Sequence, residues 1–232
     1  MKKLGMIGGT GPESTVDYYQ TIISEFQQRT GNQESLPELL IYSINMYKIF
    51  DLLESGQEEE LAEYLAAAVL SLERGGADFA VISANTPHLV FKQIQQKVNI
   101  PMISIVEATY RKAQDMKLQK IGLLGTQFTM ESDFFKNPFI ATGQEVVVPN
   151  KDEQQFIHGK IVEELEKGIV KEETKKELLG IANRLIEQQG IEGLILGCTE
   201  FPMIFKPEDL DIPQLNTVEI HVDEIVKMIL SD

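Results

Sequence analysis

The chain has one cysteine, Cys198, in 232 residues. It lies in Gly197-Cys198-Thr199-Glu200, directly after the apolar run Gly193-Leu-Ile-Leu196. The end of a buried strand is a usual place for chemistry in α/β proteins. A thiolate there can remove a proton α to a carboxylate, and the thiol can return one. The competing reading of a lone cysteine is a small buried hydrophobe. Polar neighbours and a following helix N-terminus, which would lower the thiol pKa, argue for chemistry. An upstream stretch, Gly76 to Thr86, has the same outline as Gly190 to Thr199, and an offset of 114 sets Ala84 against Cys198. One half of an apparent internal repeat thus carries a thiol and the other a methyl group.

Small polar groups surround both positions. Asn85-Thr86 and Cys198-Thr199 each follow an apolar strand and offer short neutral donors suited to an α-carboxylate or α-amine. A single such pair would be read as a helix cap; two related pairs point to a shared site. The loop Gly8-Gly9-Thr10-Gly11-Pro12 feeds a helix, whose free N–H groups would favour a small anion. A tight turn with no ligand is the equal alternative. It is neither a dinucleotide fingerprint, because Ser14 stands at the third glycine, nor a P-loop, because no lysine follows. Gly125-Thr-Gln-Phe-Thr129 is a second loop of this kind. His88 either orients the Asn85-Thr86 turn or is a structural histidine. The three histidines are scattered and add no metal-ligand spacing to one cysteine, so no metal site is expected.

The elements that must hold these residues follow from hydrophobic period. Continuous apolar runs predict strands at Leu4–Ile7, Leu39–Ile44, Phe79–Ile82, Met102–Ile105, Ile121–Leu124, Val146–Val148 and Leu194–Leu196. Helical spacing predicts helices over Ser14–Arg29, Glu58–Arg74, Leu89–Val98, Gln154–Lys167, Glu172–Gln189 and Val218–Leu230. Alternating strands and helices with unbroken apolar strands mean parallel sheets covered on both faces, an α/β protein. Gly5-Met-Ile-Gly8 matches Gly122-Leu-Leu-Gly125 at an offset of 117, close to the first offset, which favours a duplication. The expected division is residues 1–103 plus 209–232 against 104–208.

Composition narrows the partners. The net charge is −15 and no stretch is strongly basic, so neither nucleic acid nor an anionic membrane is expected as a partner. No run is long enough for a membrane span, and the N-terminus lacks the apolar core of a signal peptide. One cysteine cannot form an internal disulfide, which fits a reducing cytoplasm.

Gly8-Gly-Thr-Gly-Pro-Glu-Ser-Thr15, Asn85-Thr-Pro-His88, Leu124-Gly-Thr-Gln-Phe-Thr129 and Gly197-Cys-Thr-Glu200 follow the order seen in aspartate/glutamate racemases, which the chain resembles over nearly its whole length. It is most similar to their broad-specificity amino-acid racemase branch. The resemblance implies two pseudo-symmetric α/β domains with the active site between them, and neither pyridoxal phosphate nor metal. It also implies two cysteines acting as acid and base on opposite faces of the substrate α-carbon. Cys198 matches one; the other falls at Ala84. Gly9, Thr10, Asn85, Thr86, Thr129 and Thr199 would hold the α-carboxylate and amine. Lys48 approximately matches a residue that binds a distal carboxylate, while the second such position falls on Glu166 rather than Lys167.

The expected function is therefore a cofactor-independent amino-acid racemase-type enzyme, a cytoplasmic homodimer acting on a small amino acid, with α-proton exchange by Cys198. The alternatives are a single-cysteine decarboxylase of a malonate-like diacid and a non-catalytic amino-acid binder. Ala84 is either natural or an engineered substitution that traps substrate.

Overall fold

The fold is a computed structural model, described for residues 1–231. In chain order it runs β1 (Leu4–Gly8), α1 (Pro12–Thr30), β2 (Leu39–Ser43), α2 (Met46–Glu54), α3 (Glu58–Arg74), β3 (Phe79–Ile82), α4 (Phe91–Lys97) and α5 (Ile105–Asp115). It continues with β4 (Lys120–Gly125), α6 (Gln127–Glu131), α7 (Asp133–Ile140), β5 (Glu145–Val147), α8 (Lys151–Glu163) and α9 (Glu172–Arg184). The chain ends with β6 (Gly193–Gly197), α10 (Phe201–Ile204), β7 (Gln214–Asn216) and α11 (Thr217–Leu230). Two parallel sheets form, in the orders β2-β1-β3 and β5-β4-β6-β7. The chain divides into two compact units, Met1–Ala108 with the residues from Val218 onward, and Thr109–Thr217. Among the described residues, no helix is long and apolar enough to cross a membrane.

The first unit is centred on β1, every residue of which is buried. Tyr18, Ile22 and Phe26 repeat every fourth position on α1, so one helix face covers the sheet. Val218, Val222, Ile225 and Ile229 bring α11 onto the same core. Leu61, Leu65, Ala68 and Leu72 are the buried stripe of α3, as their spacing predicts. The second unit packs α8, α9 and α10 against β4 and β6 through Ile157, Ile161, Leu165, Leu178, Leu196 and Phe201.

The strand registers carry the duplication to single-residue precision. Leu4 stands opposite Phe79 and Ile7 opposite Ile82 in the first sheet. Adding 117 to the first strand and 114 to the second gives Ile121 opposite Gly193 and Leu124 opposite Leu196, the register of β4 with β6. The next ladder repeats too. Ala80 N–H donates to Pro101 O at 2.9 Å, and Leu194 N–H to Pro213 O at 2.9 Å. Position 84 and position 198 therefore stand at the same place after equivalent strands. The close approach is repeated as well: a Cβ on Gly5 would lie 2.9 Å from Ala77 Cβ, and one on Gly122 2.6 Å from Ile191 Cδ1.

Local capping moves several predicted boundaries. The expected strand Met102–Ile105 shrinks to one bridge, Ala80 to Met102. Ser104 begins α5 instead: its Oγ accepts from Glu107 N–H at 3.3 Å and its carbonyl from Ala108 N–H at 2.9 Å. The expected loop Gly125–Thr129 closes early, because Thr126 caps α6 and draws Thr129 into the helix. α8 starts three residues before the predicted Gln154, on a capping box between Asn150 and Glu153, and breaks at Glu164. α7 is the helix expected after the Gly125–Thr129 loop, whereas α2, α5, α10 and β7 were not expected from periodicity.

The two glycine sites differ in what surrounds the missing Cβ. At Gly5 the obstacles are the Cβ atoms of Ala77 and Leu72, which move only with backbone. At Gly122 they are the mobile ends of Ile191 and Leu194. Gly5→Ala is expected to lower stability by about 1–3 kcal/mol in urea denaturation, and Gly122→Ala by less. Equal losses would contradict this reading of the two crossings.

Candidate active site

Cys198 emerges from β6 into a buried polar turn. Its Sγ donates to Glu200 Oε2 at 2.8 Å, and Thr199 Oγ1 donates to the same oxygen at 2.9 Å. All three side chains are buried. The geometry arises locally: α10 begins at Phe201, so Cys198–Glu200 form a tight turn in which residue 200 folds back on residue 198. Gly197 lets β6 lie against β4 here; a Cβ would approach Leu124 O to 2.7 Å.

This geometry reverses the expected thiol electrostatics. Burial, then the charge and hydrogen bond of Glu200, and lastly the charge of Glu166 push the Cys198 thiol far above its ordinary value. α10 spans only four residues, and the carboxylate beside the sulfur outweighs its N-terminus. The resting thiol is protonated. Glu166, half-buried on the turn Leu165–Lys167, is itself raised to about 7, by burial and then by Glu200, with Lys167 opposing. The sulfur thus has two carboxyl groups in its surroundings.

The equivalent position in the first unit is arranged differently. Ala84 is partly exposed, and Asn85 is buried beside it. His88 accounts for the turn. Its Nδ1 lies 2.9 Å from Ala84 O, and its Nε2 accepts from Ile105 N–H at 3.3 Å, so the ring is neutral with the proton on Nδ1. It stacks on Phe91 and meets His221 edge-on. Burial, with His221 next, lowers the His88 pKa to about 3. Both sequence readings of His88 hold together: it is a satisfied core histidine, and it orients the turn. His221 is wholly buried, bonded to Tyr18 Oη at 2.9 Å and Ile103 O at 3.1 Å.

The glycine loop is less open to an anion than its sequence suggests. Gly9 adopts φ +76°, and a Cβ there would sit 2.4 Å from Ile44 O, so only glycine fits. Its N–H donates to Thr15 Oγ1 at 2.8 Å instead of pointing free. Thr10 Oγ1 lies 3.4 Å from Ser83 O and Ser83 Oγ, which holds the loop tip beside the end of β3. Ser14 also donates to Ser83 O, at 2.9 Å. The structure thus brings Gly9, Thr10, Ala84, Asn85 and Thr86 to one end of the first sheet. In the second unit it gathers Cys198, Thr199 and Thr129 at the ends of β4 and β6, with Thr129 wholly buried and bonded to Thr126 Oγ1 at 3.1 Å. Lys48 is exposed on α2, with its ammonium 4.2 Å from the centre of the Tyr64 ring.

Sequence reasoning gave Glu200 no role at the thiol, although Cys-x-Glu in a strand-end turn is a legible signal for a carboxyl beside a sulfur. It missed Glu166 as a neighbour of the thiol because the two are 32 positions apart.

A family model described as Asp/Glu/Hydantoin racemase matches residues 7–225. The chain belongs to this family. It is 30% identical over 154 residues to the broad-specificity amino-acid racemase RacX of Bacillus subtilis, covering 66% of each chain. It spans about half the length of the curated glutamate racemases that it also matches. A solved Asp/Glu racemase homologue from Yersinia pestis superposes with a TM-score of 0.91 at 32% identity, covering 100% of both chains. An aspartate racemase homologue from Pyrococcus horikoshii gives 0.86 at 39% identity, again over 100% of both.

Two measurements check the site. Cys198 in the folded protein is expected to react with iodoacetamide about tenfold or more slowly than free cysteine at pH 7, and Glu200→Gln to speed it. Wild-type reactivity at or above the free thiol would contradict the assigned electrostatics. For His88, the unfolded chain takes up a proton below the ordinary value of 6.5 while the folded chain resists until about 3. Stability from this group is full above that window and falls as pH drops through it, by about 2 kcal/mol between pH 7 and pH 5. Urea denaturation of wild type and His88→Gln isolates that slope; identical slopes would contradict it.

Proposed function

We propose that this chain is an amino-acid racemase-type enzyme in which Cys198 exchanges the substrate α-proton without a cofactor. The observation that carries the reading is the thiol held 2.8 Å from a carboxylate at the end of β6, in a family of racemases. A buried protonated thiol is a poor base alone. The α-ammonium group of an entering amino acid would offset the charge of Glu200 and Glu166 and bring the thiolate within reach. Glu200 then accepts the Sγ proton, the thiolate takes the α-proton, and the electron pair moves onto the substrate carboxylate. Gly9, Thr10, Asn85, Thr86, Thr129 and Thr199 are the proposed groups that orient the carboxylate and amine. Anchoring the carboxylate stabilises the carbanion-like transition state, which a thiolate alone cannot do. The name of the Bacillus subtilis relative supports a broad choice of side chain.

Ala84 limits the second half of the reaction. Inversion requires a donor on the opposite face of the α-carbon, and a methyl group has no proton to give. Racemisation in both directions is therefore slow, with water as the second acid. The same alanine favours one further reading, decarboxylation of a malonate-like diacid, which needs protonation on one face only; release of CO₂ distinguishes it.

The test is Ala84→Cys, with racemisation followed by chiral chromatography in both directions over a panel of amino acids. The variant is expected to gain about 10²–10⁴-fold, the usual worth of a general acid–base group. No gain in a folded variant would overturn the two-base reading.

A further inference from the structure

Glu166, whose charge acts on the Cys198 thiol from 32 positions away in sequence, sits on a turn with an unusual anchor. α8 ends at Glu163, and Glu164 leaves helical geometry at φ −122°, ψ −65°. Its side chain is buried. Oε1 accepts from Lys160 Nζ at 2.8 Å and Lys171 Nζ at 3.0 Å, and Oε2 accepts from Thr174 Oγ1 at 2.6 Å. Its main-chain carbonyl accepts two more bonds, from Lys167 N–H at 3.0 Å and Ile169 N–H at 3.0 Å. One residue thus ties together the last turn of α8, the turn Leu165–Lys167, the following loop and the start of α9. Leu165 is driven into the same core cluster that holds Cys198, while Glu166, next to it, remains half-buried.

We propose that Glu164 is a positioning residue, whose clamp on Lys160, Lys171 and Thr174 fixes the Leu165–Lys167 turn and so holds Glu166 in the surroundings of Cys198. The inference rests on Cys198 being the acid/base group, but it is tested without substrate. Hydrogen bonds from Lys160, Thr174 and Lys171, in that order, hold the Glu164 carboxyl down at about 2, so the clamp stays closed through the neutral range. The charged groups facing it are Lys160 and Lys171, with Glu163 and Glu173 acting on Lys160; those facing Glu166 are Glu200 and Lys167. When the clamp opens, Glu166 leaves, one negative charge is lost beside the sulfur, and the thiol ionises more readily.

Thr174→Val removes one donor at nearly constant volume, and Lys171→Met removes another whose side chain is largely exposed. The alkylation rate of Cys198 at pH 8 is expected to rise about threefold or more in either variant, corresponding to a fall of half a pKa unit. Thr174→Ser should restore the wild-type rate. In a Glu166→Gln background neither variant should give a further rise. An unchanged rate in both variants would overturn the proposal. An equal rise in the Glu166→Gln background would also overturn it, by assigning the effect to loosened packing around Leu165. A racemase reading that fails on turnover leaves these rates unaffected, so the two failures are distinguishable.

Discussion

The hydrogen bond from the Cys198 thiol to the Glu200 carboxylate is the constraint on which the rest of the site depends. It fixes the direction of the S–H bond and adds, after burial and the charge of Glu200, to the cost of forming a thiolate. It shares its acceptor oxygen with the Thr199 hydroxyl. The surrounding fold serves to keep that contact buried. Gly197 brings β6 close against β4, and Phe201, Leu165 and Ile161 belong to the buried core that holds Cys198. A sulfur in such a setting rests as a protonated thiol that gives up its proton reluctantly until a cation joins it.

The duplicated registers show what diverged. Both halves retain the close approach at Gly5 and Gly122, the paired proline carbonyl and a strand that ends just before position 84 or 198, at Ile82 and at Gly197. The second half spends its strand end on a thiol and a carboxylate. The first uses its own for a scaffold: the carbonyl of Ala84 is held by His88, and the loop after β1 leans on Ser83. A side chain introduced at 84 would meet a turn already held in place, which is why a single substitution is enough to probe the missing half.

Much of this was legible in the sequence, because the signals were strong and local. Unbroken apolar runs gave the inner strands, and the spacing of Tyr18, Ile22 and Phe26 and of Leu61, Leu65 and Leu72 gave α1 and α3. The offset of Ala84 from Cys198 anticipated the strand registers. Other features depended on one hydroxyl or one distant contact. Ser104 and Thr126 convert apparent strand and loop into helix by accepting a single backbone N–H each, which hydrophobic period does not register. The sign of the thiol shift required knowing that Glu200 turns inward. The approach of Glu166 follows from a turn held by Glu164, and nothing near Cys198 in the sequence announces it.

The most direct test of the account is α-proton exchange in D₂O, followed by NMR for each enantiomer of the amino acids that the chain accepts, with optical purity measured on the same samples. A single thiol with no second acid–base group predicts that one enantiomer exchanges with retention, faster than it inverts. The exchange should vanish in Cys198→Ala and be strongly reduced in Glu200→Gln. Equal exchange of both enantiomers, or exchange that survives Cys198→Ala, would contradict it.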